Sequence, residues 1–332
     1  VFKSLVNIKN LAYNSNWKKA EDLSVPVVSV GNLTVGGTGK TPLILELLQS
    51  LKTQGLAAGV ISRGYKSGFI EPTEVVADSE TFFGDEPTLV KSRFPKVPFF
   101  IAAKRVLAGQ SLLKKYPQTQ LILADDAFQH RQLARDLDIV ILDATRSKEE
   151  YLPLPLGRAR EGLESLSRAD VIVMTKLYMS GAATPHQISA WIDEHASLKP
   201  DALKVETQIR LSKPQHIHTK EGVDDFTLRR KRWVLISAIG NPSAFESSVK
   251  QELKLKVARH KRFEDHYSYV AEDLKGLLGE ESLVLTTEKD AVKLRPLVSS
   301  TAPIYSTSMS FEFLKGKEDL LAKVSGLVAK TN

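Results

Sequence analysis

VPVVSVGNLTVGGTGKTPLILELLQSL, residues 25–51, joins three kinds of pattern without a break. The apolar run of residues 25–30 suits a strand covered on both faces. A glycine-rich segment follows, and then Leu43, Ile44, Leu47, Leu48 and Leu51 recur at helical spacing. Strand, glycine loop and helix in that order make a phosphate cradle. Gly36, Gly37 and Gly39 let backbone N–H groups turn inward, Thr38 lies between them, and the helix presents its positive N-terminus to the same anion. Lys40 is placed to reach the β- and γ-phosphates, and Thr41 to put its hydroxyl on Mg²⁺. The strict pattern asks for glycine at position 34, where this chain has Thr34, so the turn is expected to shift onto Gly36 and Gly37.

Outward from the loop, strands and helices alternate. Short apolar runs recur at residues 57–62, 121–125, 138–143 and 170–175, with helical stretches between them. This rhythm predicts an α/β fold with a parallel sheet of the P-loop NTPase type. It fades into a polar, extended stretch at residues 207–226 and the basic LRRKRW at 228–233, read as a connection, a β-ribbon linker. WVLISAIG and SLVLTT then open a smaller α/β unit that ends in a helix near residues 315–328. The expected domains are therefore 1–200 and 201–332.

The 332 residues suffice for two domains with their own cores. An apolar fraction of 42% beside 26% charged residues excludes disorder and a polytopic membrane protein. No cysteine is present, which removes disulfides, thiolate metal sites and cysteine nucleophiles and fits a reducing compartment. A net charge of +7 points to an anionic partner. No run reaches the roughly 18 apolar residues of a spanning helix. The chain starts at Val1 rather than Met, so a leader segment is expected to be missing. Residues 1–19 read as a basic amphipathic helix, with Phe2, Leu5, Ile8, Ala12 and Trp17 near one spacing and Lys3, Lys9, Lys18 and Lys19 elsewhere. Packing on the domain's own core and lying on a membrane surface both remain open for it.

A phosphate loop needs an acidic group at a neighbouring strand end. LILADD offers Asp125 and Asp126, which would repel each other without a cation; DIVILD offers Asp143, read as a solvated strand end. Two other functions fit parts of the chain. VMTK, residues 173–176, is similar in outline to a base-reading motif of switch GTPases, but Tyr178 stands where that motif needs aspartate. LRRKRW could serve a nucleic-acid binder, yet no aromatic platform accompanies it, so no nucleic acid is expected. His186, His195 and His260 read as ordinary surface or core residues, and His216 with His218 lacks a third metal ligand nearby in sequence.

Several blocks coincide with the loop: SRGY at 62–65, GDEP at 84–87, DDAFQHRQLARD at 125–136, LPLGRARE at 154–161, GNP at 240–242, DHY at 265–267 and TTEKDAVK at 286–293. In this order and spacing the chain resembles the tetraacyldisaccharide 4'-kinase family, the lipid A kinases of Gram-negative bacteria. Ala127 departs from it, standing where the family usually has glycine. The resemblance implies transfer of the ATP γ-phosphate to the 4'-hydroxyl of a tetraacyldisaccharide 1-phosphate, the lipid A precursor, at the cytoplasmic face of the inner membrane. It implies a peripheral protein, expected to be a monomer, with a hinged second domain. By resemblance Asp85 is the base and His266 supports it, Asp85 being held in a turn by Gly84 and Pro87. Thr41, Asp125, Asp126 and Glu161 are then the Mg²⁺ group. Arg105, Gln129, His130, Arg158 and Arg160 are the acceptor group, since guanidinium forks suit phosphate.

Overall fold

The computed structural model describes the chain except residues 1, 16, 65–68, 70, 78–82, 180–181, 266, 278–281 and 330–332. Tyr65 and His266 thus lie outside the described residues. The first part of the chain runs α1 (Phe2–Asn14), β1 (Val27–Asn32), α2 (Lys40–Thr53), β2 (Ala58–Ser62), β3 (Thr73–Glu74), α3 (Asp85–Arg93), β4 (Phe99–Ile101) and α4 (Arg105–Lys115). It continues through β5 (Leu121–Asp125), β6 (Leu137–Asp143), β7 (Val171–Thr175), α5 (Pro185–His195) and β8 (Leu203–Leu211). The second part holds β9 (Gln215–His216), α6 (Asp225–Arg230), β10 (Arg232–Ser237), α7 (Pro242–Glu252), β11 (Lys256–Arg262), β12 (Ser282–Thr287), α8 (Glu288–Leu294) and β13 (Ile304–Thr307). β14 (Met309–Lys315) and α9 (Lys317–Ala329) close the described chain.

The larger sheet has nine strands in the order β14-β8-β7-β6-β1-β5-β2-β4-β3. β1 is central, parallel to β5 on one side and to β6 on the other. Successive residues of β1 serve opposite faces, as the two-residue period of a strand requires. Val28 and Val30 join Leu43, Leu47 and Leu51 of α2, whereas Val27 joins Val106 and Leu112 of α4. Covering both faces with helices explains why β1, β5, β6 and β7 are buried at every position and read as unbroken apolar runs. Because the chain leaves β5 on one side of β1 and enters β6 on the other, a crevice opens at the carboxyl ends of these strands, where ligands of such sheets bind.

Residues 210–310 form a second compact unit, described by itself. Its five-stranded sheet has the order β11-β10-β12-β13-β9, with only β9 antiparallel to its neighbour. Trp233, fully buried, donates its indole N–H to the Leu228 carbonyl and packs with Leu235, Phe245 and Leu285.

Two expectations change here. β8, which the expected boundary after residue 200 placed with the second domain, is a strand of the nine-stranded sheet with Val205, Thr207 and Ile209 buried in alternation. The C-terminal helix, assigned to the second domain, belongs to the first unit, residues 1–209 and 311–332. Its apolar stripe explains this: Leu320, Val324 and Val328 share one core with α2 and β1.

Candidate active site

At the carboxyl end of β1, Thr34 stays extended, bridging Ala159, and the chain turns only at Gly36, whose φ is 103°. The turn is thus displaced by two residues from the strict pattern, which is why threonine is accommodated at 34. Gly39, with φ 98°, opens α2 without a side-chain cap. The first-turn N–H groups of a helix have no intrahelical acceptor, and Pro42 removes one of them, so those of Lys40 and Thr41 point along the helix axis as an anion site. A Cβ on Gly39 would lie 3.0 Å from Cζ of Phe311. Thr38 is buried, and its hydroxyl has no partner among the described residues.

Asn32, the last residue of β1, is the hub. Its Oδ1 accepts from Lys40 Nζ at 3.1 Å and from Arg160 Nη2 at 2.6 Å, and its carbonyl accepts from Gln129 Nε2 at 2.9 Å. Arg160 also grips Asp126 with both Nη atoms at 2.7 Å, and Lys40 Nζ is 3.5 Å from the same carboxylate. Arg105, buried at the start of α4, donates to the Asp126 carbonyl at 2.9 Å and lies 3.3 Å from His130 Nδ1. Lys40, Asp126, Arg160, Arg105, Gln129 and His130, chosen from separate parts of the sequence, are therefore one network. The left-handed residue of this turn is Asp126, φ 50°, a conformation that aspartate tolerates; Ala127 carries no positive φ and is simply core.

The adjacent aspartates are electrostatic opposites. Burial pushes the Asp125 carboxyl up to about 7, and the neighbouring Asp126 adds to that. One Asp125 oxygen reaches Ser62 Oγ at 3.4 Å and the other has no partner among the described residues. Burial acts on Asp126 too, but the charges of Lys40 and Arg160 outweigh it and hold the carboxyl well below the usual range. Burial and the Arg105 charge bring His130 down to about 4, so its imidazole is neutral at pH 7.

Other expected residues fall elsewhere. Asp85 does not sit in a plain turn: Gly84, φ 104°, starts α3, and Asp85 is the buried first residue of that helix with Pro87 two positions on. The Glu86 charge is among those acting on Asp125. Glu161 is not brought to them. Successive residues of an extended segment point to opposite sides, so while Arg160 faces Asp126, the buried Glu161 accepts from Asn10 Nδ2 at 2.8 Å and Arg168 Nη2 at 2.6 Å. No group of three His, Asp or Glu side chains suited to a metal occurs among the described residues. Arg158 lies at the phosphate loop, its Nη2 3.6 Å from a Cβ built on Gly36, and its side chain is 46% exposed.

Asp143 is buried and paired with Lys176, not solvated, and Lys176 Nζ also donates to the Gly37 carbonyl at 3.1 Å. The sequence does not single out Asn32, and Asp143, expected as a solvated strand end, and Lys176, noted only within VMTK, have roles there that it does not show. Asn32 stood within the quoted loop, and the two strand ends of β6 and β7 carried the only signal for the others.

α1 attaches by polar side chains: Lys9 donates to the Gln129 carbonyl at 2.7 Å, and Asn14 accepts from Arg131 at 2.9 Å. Ile8, Leu11 and Trp17 are exposed at 64%, 65% and 87%. No helix is long and apolar enough to cross a membrane among the described residues.

A family model described as tetraacyldisaccharide-1-P 4'-kinase matches residues 1–328. The chain belongs to the tetraacyldisaccharide 4'-kinase family. It is 35% identical over 317 residues to the tetraacyldisaccharide 4'-kinase of Bdellovibrio bacteriovorus, covering 93% of this chain and 91% of that one. To the Shewanella halifaxensis enzyme of the same name it is 33% identical over 329 residues, 97% of this chain and 90% of that one. Its fold is similar to the crystal structure of LpxK from Aquifex aeolicus in complex with ATP, with a TM-score of 0.76, 27% identity and coverage of 98% and 96%. The activity of this family is ATP-dependent phosphorylation of the 4'-hydroxyl of the tetraacyldisaccharide 1-phosphate, a step of lipid A biosynthesis, and this chain is such a phosphotransferase.

Proposed function

We propose that residues 36–41 cradle the β- and γ-phosphates of ATP, that the Asn32 network orients the reacting groups, and that Asp85 takes the proton of the acceptor hydroxyl. The observation that carries this reading is the meeting of Lys40, Arg160 and Asp126 at Asn32, beside a helix start without a side-chain cap. Phosphoryl transfer is chiefly positioning and neutralisation of charge. Lys40 faces the transferred phosphate, and Asp126 fixes Lys40 and Arg160 in place. A carboxylate beside the acceptor oxygen supplies the remaining need, a proton acceptor. Asp85, at the start of α3, is the carboxylate assigned to that position.

Magnesium fits part of the set. A buried carboxylate oxygen without a partner is costly, and Asp125 presents one beside a second carboxylate. Asp125, Asp126 and Thr41 would hold Mg²⁺ with water completing its shell, and the ion would neutralise charge across the β- and γ-phosphates. Glu161 is left out, because it faces away from the paired aspartates, toward Asn10 and Arg168. Arg105, Gln129, His130, Arg158 and Arg160 form the acceptor side, with neutral His130 as a hydrogen-bond partner for sugar hydroxyls.

The exposed Ile8, Leu11 and Trp17, with Lys9 on the same segment, support a protein lying on the cytoplasmic face of the inner membrane, where its acceptor resides; it is taken to act there as a monomer. β8 and β14, neighbours in the large sheet, would be the ribbon on which the second unit hinges.

The test is transfer from labelled ATP to tetraacyldisaccharide 1-phosphate in detergent micelles. Asp85→Ala is expected to lower kcat by about 10²-fold or more with KM for ATP within twofold. A raised KM for ATP at normal kcat would assign Asp85 to the cradle instead.

A further inference from the structure

A loop that turns its N–H groups inward to meet an anion turns carbonyl groups outward, and those need donors of their own. On either side of Gly36 both are met by cations. Arg146 Nη2 donates to the Val35 carbonyl at 3.3 Å, and Lys176 Nζ donates to the Gly37 carbonyl at 3.1 Å. Lys176 is buried at the end of β7, and its partner Asp143 is buried at the end of the neighbouring β6, in register with Thr175. Asp143 is itself fixed at every polar atom. Its Oδ1 accepts from the Thr145 N–H at 3.0 Å and hydroxyl at 2.6 Å, its Oδ2 takes Lys176 and lies 3.9 Å from Arg146 Nε, and its N–H and carbonyl both meet the Tyr151 hydroxyl. Tyr151 is buried edge-on against Trp191. Lys176 adopts φ 59°, a left-handed conformation that is strained for a lysine and persists only where its surroundings hold it.

We infer that Lys176, set by Asp143, is a positioning residue that braces the Gly37 carbonyl from behind the phosphate loop, with Arg146 as the second arm on Val35. This deepens, and rests on, the reading that residues 36–41 receive the phosphates of ATP. The brace lies on the outer side of the loop and touches no phosphate. Its purpose is directional: with the carbonyls pinned backward, the N–H groups between them keep their inward aim while the site is empty, so ATP meets an ordered cradle. Cations behind the loop also add positive potential at the place where phosphate charge arrives.

The experiment compares wild type with Lys176→Met, Lys176→Arg, Asp143→Asn and the double variant Lys176→Met/Asp143→Asn. KM for ATP, KM for the acceptor and kcat are read in the micelle assay, and the thermal midpoint without nucleotide is read in parallel. The brace predicts a rise of about tenfold or more in KM for ATP in Lys176→Met. KM for the acceptor stays within twofold, Lys176→Arg recovers part of the loss, and the double variant is no worse than the more damaging single one. A lowered thermal midpoint with KM for ATP unchanged would reduce the pair to a structural ion pair and overturn the inference. If Lys176→Met does not fold, the double variant, which leaves no buried charge unpaired, carries the same measurement, and an unchanged KM for ATP in it overturns the inference as well. Lys40→Ala separates the two levels. If it leaves KM for ATP and kcat untouched, the phosphate-loop reading itself fails; if it lowers activity while the Lys176 variants leave KM for ATP alone, only the brace fails.

Discussion

The two sheets are built alike and end differently. Each is mostly parallel, and each gathers polar residues where its strands stop. In the five-stranded sheet those residues are largely taken up by one another and by a fixed cation, since the one Asp290 oxygen without a hydrogen bond among the described residues faces Lys293 Nζ at 3.8 Å. Asp290, fully buried, accepts from the Thr287 hydroxyl at 2.8 Å and the Ala238 N–H at 3.1 Å. Ser237 Oγ lies 2.8 Å from His260, whose other ring nitrogen is 3.1 Å from Glu246. The helix starts are closed too, since Asn241 caps α7 through the Ala244 N–H and Thr287 caps α8 through the Asp290 N–H. In the nine-stranded sheet α2 begins on a glycine without a cap, and Asp125 keeps an oxygen with no partner among the described residues. A shared architecture thus carries no function by itself. The difference lies in which donors and acceptors the chain leaves for something else.

The sharpest way to break that contrast is to spoil the open end. Gly39→Ala must place a side chain at φ 98° and move Phe311, and it is expected to lower kcat/KM for ATP by on the order of 10²-fold or more. Phosphate-transfer kinetics in micelles would show it, and near-normal activity would mean that the loop tolerates a different path.

Asp125 gives a pH test. Burial raises its folded carboxyl from the ordinary aspartate range to about 7, so the native state holds a proton that the unfolded chain releases. With more protons bound in the native state, stability falls as pH rises from about 4 to about 7 and then levels. In protein stripped of divalent metal, Asp125→Asn is therefore expected to raise the thermal midpoint at pH 8 and to change it little at pH 4. The same substitution should abolish any protection that Mg²⁺ gives at pH 8. Calorimetry with and without chelator decides, and a midpoint lowered by Asp125→Asn at pH 8 would contradict the assignment.

At the closed end, Asn241→Ala removes a cap and is expected to cost about 1 kcal/mol in stability. Denaturant titration reads that loss, and a tenfold rise in KM for ATP instead would show that the α7 start is also an open one. The smallest effect is expected on the outer face of α1. Ile8→Ser with Leu11→Ser should leave kcat in micelles within twofold and weaken co-sedimentation with vesicles of phosphatidylethanolamine and phosphatidylglycerol. Unaltered sedimentation would remove this face from the membrane reading.

Much of the site was legible because its signals are contiguous. The loop of residues 36–41 shows its glycines, lysine and threonine side by side, and the paired aspartates follow an unbroken apolar strand. Asn32 was overlooked because its part depends on three partners, 8, 97 and 128 residues away, that only the fold assembles. Lys176 and Asp143 belong to neighbouring strands whose adjacency is not written in either segment. Glu161 misled for a local reason: next to Arg160 in an extended run, it faces the other way. The fold class followed from the alternation of patterns, while the allegiance of α9 did not, since an amphipathic stripe says that a helix packs without saying on which core.

The return of residues 311–332 to the first unit makes the second unit a parenthesis in the chain. Its two ends leave from β8 and β14, neighbours in one sheet, and neighbouring strands run about 5 Å apart. A peptide of a few residues spans that gap, so residues 212–307 are replaceable in principle by a tight turn without cutting the phosphate-binding sheet. Seen this way, the second unit is one continuous insertion, while the first unit is assembled from the two stretches that flank it.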